Sequence, residues 1–167
     1  MSATIRPCQP GDAAAICAIY NHYIAHTIIT FEESPVDAVA MAARMAGITS
    51  KLPWLVCEVD GIMTGFAYAS PWKGRCAYRF TVESTVYLAP DAFGRGLGTK
   101  LYSALIEAVQ SLGQHSVIGG IALPNAASVA LHEKLGFHKV AHFEQVGWKF
   151  NRWIDVGYWE RLLATSP

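Results

Sequence analysis

Hydrophobic and polar residues alternate in the middle of the chain and then change to a helical spacing. Two sets of side chains alternate with the period of two that is typical of a β-strand: Val82, Ser84, Val86 and Leu88 against Glu83, Thr85, Tyr87 and Ala89. Pro90 and Asp91 end this predicted strand, and hydrophobic residues at helical spacing begin at Leu97. The sequence therefore predicts a strand, a short glycine-rich loop and a helix.

Helical spacing of hydrophobic residues predicts three more helices. The first begins at Gly11-Asp12, where the aspartate has the side chain of an N-cap. The second begins at Ser34-Pro35, because a capping serine and a proline at the first helical position are typical of a helix start. Gly47 is predicted to end that helix, and a further helix covers residues 125–135.

The remaining strands are predicted from hydrophobic runs between turn residues: 5–6, 53–59, 63–70, 116–122, 137–146 and 150–162. Asp60-Gly61 is a strong hairpin signal, and Gly147 separates the last two runs. The resulting order is β-α-α-β-β-β-α-β-α-β-β. It predicts an α/β (α+β) fold in one domain over residues 1–167, with a mixed central sheet of about seven strands and four helices on both faces.

Composition restricts the class of protein. Hydrophobic residues make up 52% of the 167 residues and charged residues 16%, so we do not expect a disordered chain. The formal net charge is zero, which gives no reason to expect a nucleic-acid partner. Because the sequence contains neither a membrane-spanning run nor a signal peptide, we expect a cytoplasmic protein without a membrane partner.

Cysteine and histidine positions do not suggest a metal site. The four cysteines contain no CxxC pair, and we expect reduced thiols in or near the core. His22 and His26 lie one helical turn apart, but the sequence offers no third ligand beside them. We therefore expect no metal.

The glycine-rich loop is a candidate anion site. Backbone N–H groups at a helix start bind anions, and glycines let phosphate oxygens approach the backbone closely. Residues 94–99 are therefore a candidate pyrophosphate site, and an ordinary turn into a helix is the alternative. Glu83 lies upstream on the predicted interior strand, where a carboxylate is costly unless it is paired or functional. The alternative to a functional role is an ion pair with Arg79 or Arg75.

The order of elements and two motifs resemble the GNAT superfamily of acyl-CoA-dependent N-acetyltransferases. Residues 93–98, FGRGLG, are similar to the pyrophosphate motif of that superfamily, with Phe93 where glutamine or arginine is usual. Residues 125–137 are similar to its second motif, a helix that begins with asparagine and ends in Leu-Gly-Phe. Blocks along the whole chain resemble phosphinothricin acetyltransferases: residues 19–21, 72–73, 81–87, 123–125 and 146–157.

The resemblance implies acetyl-CoA as co-substrate and direct acetyl transfer to the α-amino group of a small glutamate-like amino acid. Phosphinothricin, methionine sulfoximine and arsinothricin are such amino acids, and a role in herbicide or antibiotic resistance is implied with them. Glu83 corresponds to the general base. His132 takes the place of a tyrosine general acid, with a helix-packing role as the alternative. The implied acetyl-CoA contacts are Val86, Tyr87, Leu88, Gly94, Arg95, Gly96, Leu97, Gly98, Thr99, Asn125 and Lys134. For Lys134, a solvated surface lysine is the alternative.

The acidic groups of the amino-acid substrate require cationic side chains, and its amino group requires residues that enclose it. Its implied contacts are Phe31, Lys73, Arg75, Arg79, Glu83, Ser84 and Thr85. Phe31 and Glu32 belong either to the wall of the pocket or to a simple packed loop. Lys149 and Trp153 are expected at the same mouth or at a dimer contact, since the family usually forms homodimers.

Two other functions remain open at this point. The first is a protein or peptide acetyltransferase on the same fold, although bulky residues such as Phe31, Trp72 and Trp153 favour an enclosed pocket. The second is a non-catalytic CoA-binding domain, against which Glu83 and the Gly96/Gly98 pair argue.

Overall fold

Residues 3–164, the part of the chain that the computed structural model describes, form four α-helices and seven β-strands. The helices are α1 Ala13–His26, α2 Ala38–Thr49, α3 Leu97–Ser111 and α4 Ala126–Lys134. The strands are β1 Ala3–Pro7, β2 Trp54–Val59, β3 Ile62–Pro71, β4 Thr81–Leu88, β5 Ser116–Ala122, β6 His138–Lys149 and β7 Arg152–Leu162. Their order along the chain is the predicted one.

The strands form one mixed sheet in the order β1-β2-β3-β4-β5-β7-β6. Every neighbouring pair is antiparallel except β4 and β5, which are parallel. Their parallel pairing is short, because it covers only Thr81–Glu83 opposite Ser116–Ile118. Beyond that point the two central strands are no longer paired. The predicted mixed sheet with four helices is confirmed, and its central pair opens toward the carboxyl ends of β4 and β5.

Two hydrophobic clusters cover the two faces of the sheet. On one face α1 and α2 pack on β2 and β3, where Ile16, Met41 and Val56 are almost fully buried. On the other face α3 contributes Leu101 and Leu105 to a cluster that also contains residues of β4 and β5. Each such side chain contributes about 1.5–3 kcal/mol when fully buried. Together the two clusters hold the open central pair of strands between the helix layers.

The alternation along β4 assigns its side chains to these two faces. Val82, Val86 and Leu88 pack in the α3 cluster. Tyr87 packs in the α1 cluster, where its ring lies 4.9 Å from that of Tyr23. Because successive side chains of a strand point to opposite faces, Glu83 lies on the same face of the sheet as Tyr87.

The start of α2 differs from the sequence prediction. Asp37, not Ser34, caps this helix by accepting a hydrogen bond from Ala40 N at 2.7 Å. Asn21 of α1 bonds both the N–H and the C=O of Val36, at 2.9 Å each, which holds that residue outside the helix. The helix also continues past Gly47 to Thr49. A tertiary contact therefore overrides the local start signal.

Replacing Asp37 with alanine is expected to lower the free energy of unfolding by about 1 kcal/mol, because a helix donor loses its acceptor. Urea denaturation monitored by circular dichroism measures this change. Ser34→Ala is the matched control and is expected to change stability by less than about 0.5 kcal/mol. Equal losses in both variants would contradict the assignment of the cap.

Asp12 lies at the N-cap position of α1, but its side chain accepts no hydrogen bond from the amides of that helix, so the predicted side-chain cap is wrong. Its carboxylate forms a salt bridge with Arg6 at 2.8 Å and accepts a hydrogen bond from Gln9 N at 2.7 Å. Arg6 also pairs with Glu58 of β2. The cluster ties the entry to α1 to the edge of the sheet.

Two hairpins have turns in the left-handed region of the backbone. Asp60 and Gly61 have φ values of 52° and 78°, so the predicted β2–β3 hairpin is confirmed. The β6–β7 hairpin turns instead at Phe150 and Asn151, with φ values of 52° and 56°. The prediction that Gly147 separates these strands is therefore wrong, because Gly147 lies inside β6 opposite Ile154.

No helix within residues 3–164 has the length and hydropathy required to cross a membrane. In the same part of the chain, no group of three or more His, Cys, Asp or Glu side chains could hold a metal ion.

Candidate active site

A cavity of about 370 Å³ lies where β4 and β5 separate. One side consists of residues 83–88 of β4, and the other consists of residues 120–122 of β5. Residues 29–31 from the loop between α1 and α2, the first turns of α4, and Tyr23, Phe93 and Gly98 also line the cavity. The short parallel pairing thus creates a cavity in the middle of the sheet, with strand edges on both sides.

Two glycines in β5 leave space for the side chains of Tyr158 and His132 beside this cavity. A Cβ built on Gly120 would lie 3.1 Å from Tyr158 Cε1 and 3.5 Å from Glu83 Oε1. A Cβ on Gly119 would lie 2.7 Å from His132 Cδ2 and still nearer to Nε2. Neither glycine was predicted from the sequence, although a glycine pair inside a buried strand is a signal for close approach.

Glu83 is half-buried in the wall of the cavity. Burial raises the pKa of its carboxyl above the ordinary value, and the positive charge of Lys73 opposes that shift. The salt bridges of residues 3–164 include neither Glu83–Arg75 nor Glu83–Arg79. A carboxylate with a raised pKa in a cleft is suited to accept a proton.

The three predicted substrate cations lie outside the cavity wall and are exposed. Lys73 has its ammonium 4.8 Å from the centre of the Trp72 ring, and Trp72 contacts Tyr158 edge-on. Arg79 instead stacks on the adjacent Phe80 ring at 4.6 Å. Among these cations, Lys73 is the one whose charge acts on Glu83.

Ser84 and Thr85 line the cavity beside Glu83 but differ in their contacts. The Ser84 hydroxyl forms a hydrogen bond of 2.6 Å with the hydroxyl of Tyr102, which is fully buried in the α3 cluster. Thr85 lies on the opposite face, where it pairs with Tyr68 of the neighbouring strand β3.

The glycine-rich loop leads into the N-terminus of α3. Gly94 and Gly96 have φ values of 76° and 72°, and Gly96 occupies the N-cap position. The first helical hydrogen bond is donated by Lys100 N to Gly96 O at 3.2 Å. The amides of residues 97–99 come before that bond and have no acceptor within the helix, so this helix start can bind an anion. Of these three residues, Gly98 lines the cavity.

Only some of the other predicted acetyl-CoA contacts line the cavity. Val86, Tyr87, Leu88 and Asn125 line it. Asn125 also caps α4, because its side chain accepts a hydrogen bond from Ser128 N at 3.1 Å. Arg95 is exposed in the loop, Leu97 and Thr99 belong to the first turn of α3, and Lys134 is exposed at the end of α4.

Phe93 contributes an apolar ring to the cavity wall. Its side chain is 55% exposed and lies on the chain between β4 and the glycines of the loop. At the position where the GNAT pyrophosphate motif has glutamine or arginine, this chain therefore presents an apolar side chain to the cavity.

His132 lines the cavity but is buried between aromatic rings. Its Nδ1 lies 2.7 Å from Ser128 O, and since a carbonyl only accepts, Nδ1 carries the proton. Burial lowers the pKa of the imidazole, and the bond to Ser128 opposes that shift. The neutral ring has a lone pair at Nε2 instead of a proton. The general-acid role of His132 stays a prediction, and it requires a second proton that burial disfavours.

The loop between α1 and α2 places Phe31 and Glu32 differently. Phe31 lines the cavity. Glu32 points away from it, accepts two hydrogen bonds from the Arg44 guanidinium, at 2.6 and 2.9 Å, and one from the Tyr20 hydroxyl. Phe31 is therefore the residue of this pair that faces the cavity.

The two C-terminal residues expected at the mouth have opposite exposures. Lys149 is 2% exposed, and its ammonium donates a hydrogen bond of 2.8 Å to Thr30 O. Trp153 is 59% exposed and lies 4.7 Å from the Trp148 ring. Neither of them lines the cavity.

Comparison with known proteins settles the family. The family model that describes the acetyltransferase (GNAT) domain matches residues 5–157 of this sequence. This chain belongs to the GNAT acetyltransferase family. The match covers all the elements around the cavity except the end of β7, so the prediction of the family and of an acyltransferase is confirmed.

Within the GNAT family, this chain is similar to acetyltransferases of small amino acids. It is 42% identical to a phosphinothricin N-acetyltransferase of Streptomyces viridochromogenes, over 94% of this chain and 86% of that protein. It is 40% identical to an L-methionine sulfoximine/L-methionine sulfone acetyltransferase of Salmonella typhimurium, over 96% and 94%. A solved phosphinothricin acetyltransferase of Sinorhizobium meliloti, in complex with acetyl-CoA, has a TM-score of 0.94 and 36% identity, over 98% of this chain and 89% of that chain.

Proposed function

We propose that this GNAT acetyltransferase transfers the acetyl group of acetyl-CoA to the α-amino group of a small glutamate-like amino acid. Phosphinothricin, methionine sulfoximine and arsinothricin are the acceptor types. The observation that carries the proposal is the half-buried Glu83 carboxylate, with its raised pKa, in the wall of the cavity between β4 and β5. The names of the similar proteins support the choice of acceptor.

Acetyl-CoA would lie along β4, with its diphosphate at the start of α3. The amides of residues 97–99 and the left-handed Gly94 and Gly96 provide donors and space for phosphate oxygens. The edge of β4 over residues 86–88 faces the cavity, where a backbone N–H can polarise the thioester carbonyl. Asn125 and Lys134 are the proposed contacts from α4.

Glu83 would accept a proton from the α-ammonium group, directly or through a water. The free amine would then attack the thioester carbonyl, so that the C–N bond forms and the C–S bond breaks. The nitrogen would lose its second proton to solvent, and the CoA thiolate would leave with a proton from a donor such as His132 or solvent. Lys73, Arg75 and Arg79 are the candidate partners of the acidic groups of the acceptor, with Ser84, Thr85 and Phe31 beside it. Lys73 is favoured among these cations because its charge acts on Glu83.

The same proposal includes a homodimer in the cytoplasm. Around its turn, the β6–β7 hairpin exposes large apolar side chains at 49–60% each, which a second copy can cover: Val146, Trp148, Phe150 and Trp153. The four cysteines of residues 3–164 are free thiols, which agrees with a reducing compartment. Cys76 is exposed, so the expectation of a thiol in or near the core is wrong for that residue.

Restoring glutamine at Phe93 is expected to change the Kd of acetyl-CoA by no more than about threefold, because backbone amides are the proposed phosphate donors. Isothermal titration of Phe93→Gln and of the unmodified enzyme with acetyl-CoA measures the difference. A large gain in affinity would contradict the backbone account. It would assign a major part of phosphate binding to the side chain at this position.

The acceptor is tested by measuring CoA thiol release with phosphinothricin, methionine sulfoximine, arsinothricin and the ordinary amino acids. We expect kcat/KM for at least one of the three glutamate-like compounds to exceed that for ordinary amino acids by about tenfold or more. Peptide arrays with free N-termini test the peptide alternative in parallel. Turnover of peptides with all free amino acids inert would overturn the proposal, and CoA binding without any turnover would favour a non-catalytic domain.

A further inference from the structure

The ring of Phe31 is positioned by a contact that only glycine permits. A Cβ built on Gly147 would lie 2.7 Å from Phe31 Cε1, 2.9 Å from Cε2, and nearer still to Cζ. Real Cβ atoms essentially never come this close, so the ring fits because residue 147 has no side chain. The backbone of Gly147 is outside the left-handed region and pairs with Ile154 inside β6, so alanine is conformationally allowed there. Space, and not backbone freedom, is the reason for glycine.

Lys149, two residues further along β6, holds the neighbouring residue of the same loop. Its side chain is 2% exposed, yet its ammonium donates a hydrogen bond of 2.8 Å to Thr30 O. Burial lowers the pKa of this ammonium, and the charge of Glu33 opposes that shift. A buried amine is costly unless it is paired. The bond to Thr30 therefore fixes the loop backbone to β6 at a position 119 residues away in the sequence.

The loop is also fixed from the side of the helices. The Tyr20 hydroxyl contacts both Thr30 Oγ1, at 2.8 Å, and the Glu32 carboxylate. Arg44 of α2 holds the same carboxylate through two nitrogens. Residues 30 and 32 are thus held by hydrogen bonds, whereas the Phe31 ring between them is 42% exposed and packs against Gly147.

The position of this loop favours an effect on the acceptor end of the cavity. Tyr20 packs against Tyr87, whose ring lies 5.3 Å away, and Tyr87 shares its face of β4 with Glu83. The glycine-rich loop leads into α3, which packs on the other face of the sheet. A displaced Phe31 ring therefore changes the space on the Glu83 face of the sheet more than the space at the start of α3.

We infer that Gly147 and Lys149 of β6 are positioning residues that set the place of Phe31 in the cavity and thereby select the side chain of the amino-acid acceptor. This inference rests on the proposed function. Neither residue touches the acceptor; both act through the loop. The edge strand β6 thus contributes to acceptor specificity, although it does not contact the acceptor. A single methyl group added at residue 147 changes which acceptors fit.

The first test is Gly147→Ala, with Gly11→Ala as the matched control, since a Cβ at residue 11 meets nothing within 4 Å. Steady-state kinetics are measured with methionine sulfoximine, phosphinothricin and alanine as acceptors. For Gly147→Ala we expect KM for the two larger acceptors to rise about fivefold or more. We expect kcat and the KM of acetyl-CoA to stay within about twofold, and the control to match the unmodified enzyme.

A smaller side chain at residue 31 tests whether Gly147→Ala acts through the Phe31 ring or through a general loss of structure. The double variant Gly147→Ala/Phe31→Leu is expected to match Phe31→Leu alone within about twofold, because the clash is with the ring. Lys149→Met is expected to raise the acceptor KM in the same way, whereas Lys139→Met, whose ammonium contacts His142 at the exposed part of β6, is not. Thermal melts check that each variant is folded, and Lys149→Met tests the inference if Gly147→Ala does not fold.

An unchanged acceptor KM in both Gly147→Ala and Lys149→Met would overturn the inference. So would an effect of Gly147→Ala that persists fully in the Phe31→Leu background. If the unmodified enzyme acetylates no amino acid, the proposed function fails, and the inference fails with it. If the enzyme turns over normally but residues 147 and 31 show no coupling, only the inference fails.

Discussion

Replacing Glu83 with glutamine is expected to lower kcat by about tenfold or more while the Kd of acetyl-CoA changes by less than about twofold. Glutamine has nearly the shape of glutamate but cannot accept the proton of the α-ammonium group. The cavity lies between strand edges whose backbone is unaffected by this change, so acetyl-CoA is expected to bind as before. Stopped assays of CoA thiol release give kcat, and isothermal titration gives the Kd.

The pH profile of the same variant provides an independent test. A general base acts in its deprotonated form, so activity rises as the pH rises through its pKa. Because burial raises the pKa of Glu83, we expect an acidic limb of kcat/KM above the ordinary glutamate range, and we expect Glu83→Gln to lose that limb. Glu107→Gln, an exposed position on α3, is the control and is expected to keep both kcat and the profile. Unchanged turnover by Glu83→Gln would remove Glu83 from the mechanism.

Replacing Gly96 with valine is expected to raise the KM of acetyl-CoA by about tenfold or more. Gly96 is the N-cap of α3 in the left-handed region, at φ 72°, where a β-branched residue is strained by about 1–2 kcal/mol. Relief of that strain turns the first amides of α3 away from the diphosphate. Initial rates at varied acetyl-CoA concentration measure the effect.

Gly113→Val is the matched control for this experiment. Gly113 has φ 76° and follows the other end of the same helix, far along the chain from the glycine-rich loop. Its replacement imposes a similar backbone strain, so urea denaturation is expected to give a similar loss of stability in both variants. An equal rise in KM for Gly113→Val, or an unchanged KM for Gly96→Val, would contradict the role of the α3 amides.

The features that depend on local pattern were predictable from the sequence. The alternation along β4, the glycine-rich loop and the helical spacing of α3 are local signals, and the structure has all three in place. The Asp60-Gly61 hairpin follows from the turn chemistry of two residues. The order of elements then led to the GNAT family, which the match over residues 5–157 confirms.

The features that depend on contacts distant in sequence were not predictable. The start of α2 is set by Asn21, which holds Val36 outside the helix. The turn between β6 and β7 is formed by Phe150 and Asn151, and a left-handed phenylalanine has no sequence signature. The burial of Lys149 against Thr30 likewise joins residues that no local pattern connects.

The candidate site shows the same division. Glu83 and Asn125 could be named in advance because each stands in a recognisable local motif. The cavity itself results from the short pairing of β4 with β5. The space at Gly119 is taken by His132, and the close neighbour of Gly120 is Tyr158. Distances between strands and helices, which the sequence does not contain, decide these contacts.

The most direct measurement follows the acetyl group itself. The enzyme is incubated with acetyl-CoA labelled with carbon-13 at the carbonyl and with methionine sulfoximine, and the products are analysed by mass spectrometry and NMR. The account predicts one labelled acetyl group on the α-nitrogen of the amino acid for each CoA thiol released. Release of CoA without an acetylated amino acid, or a label on another nitrogen, would contradict it.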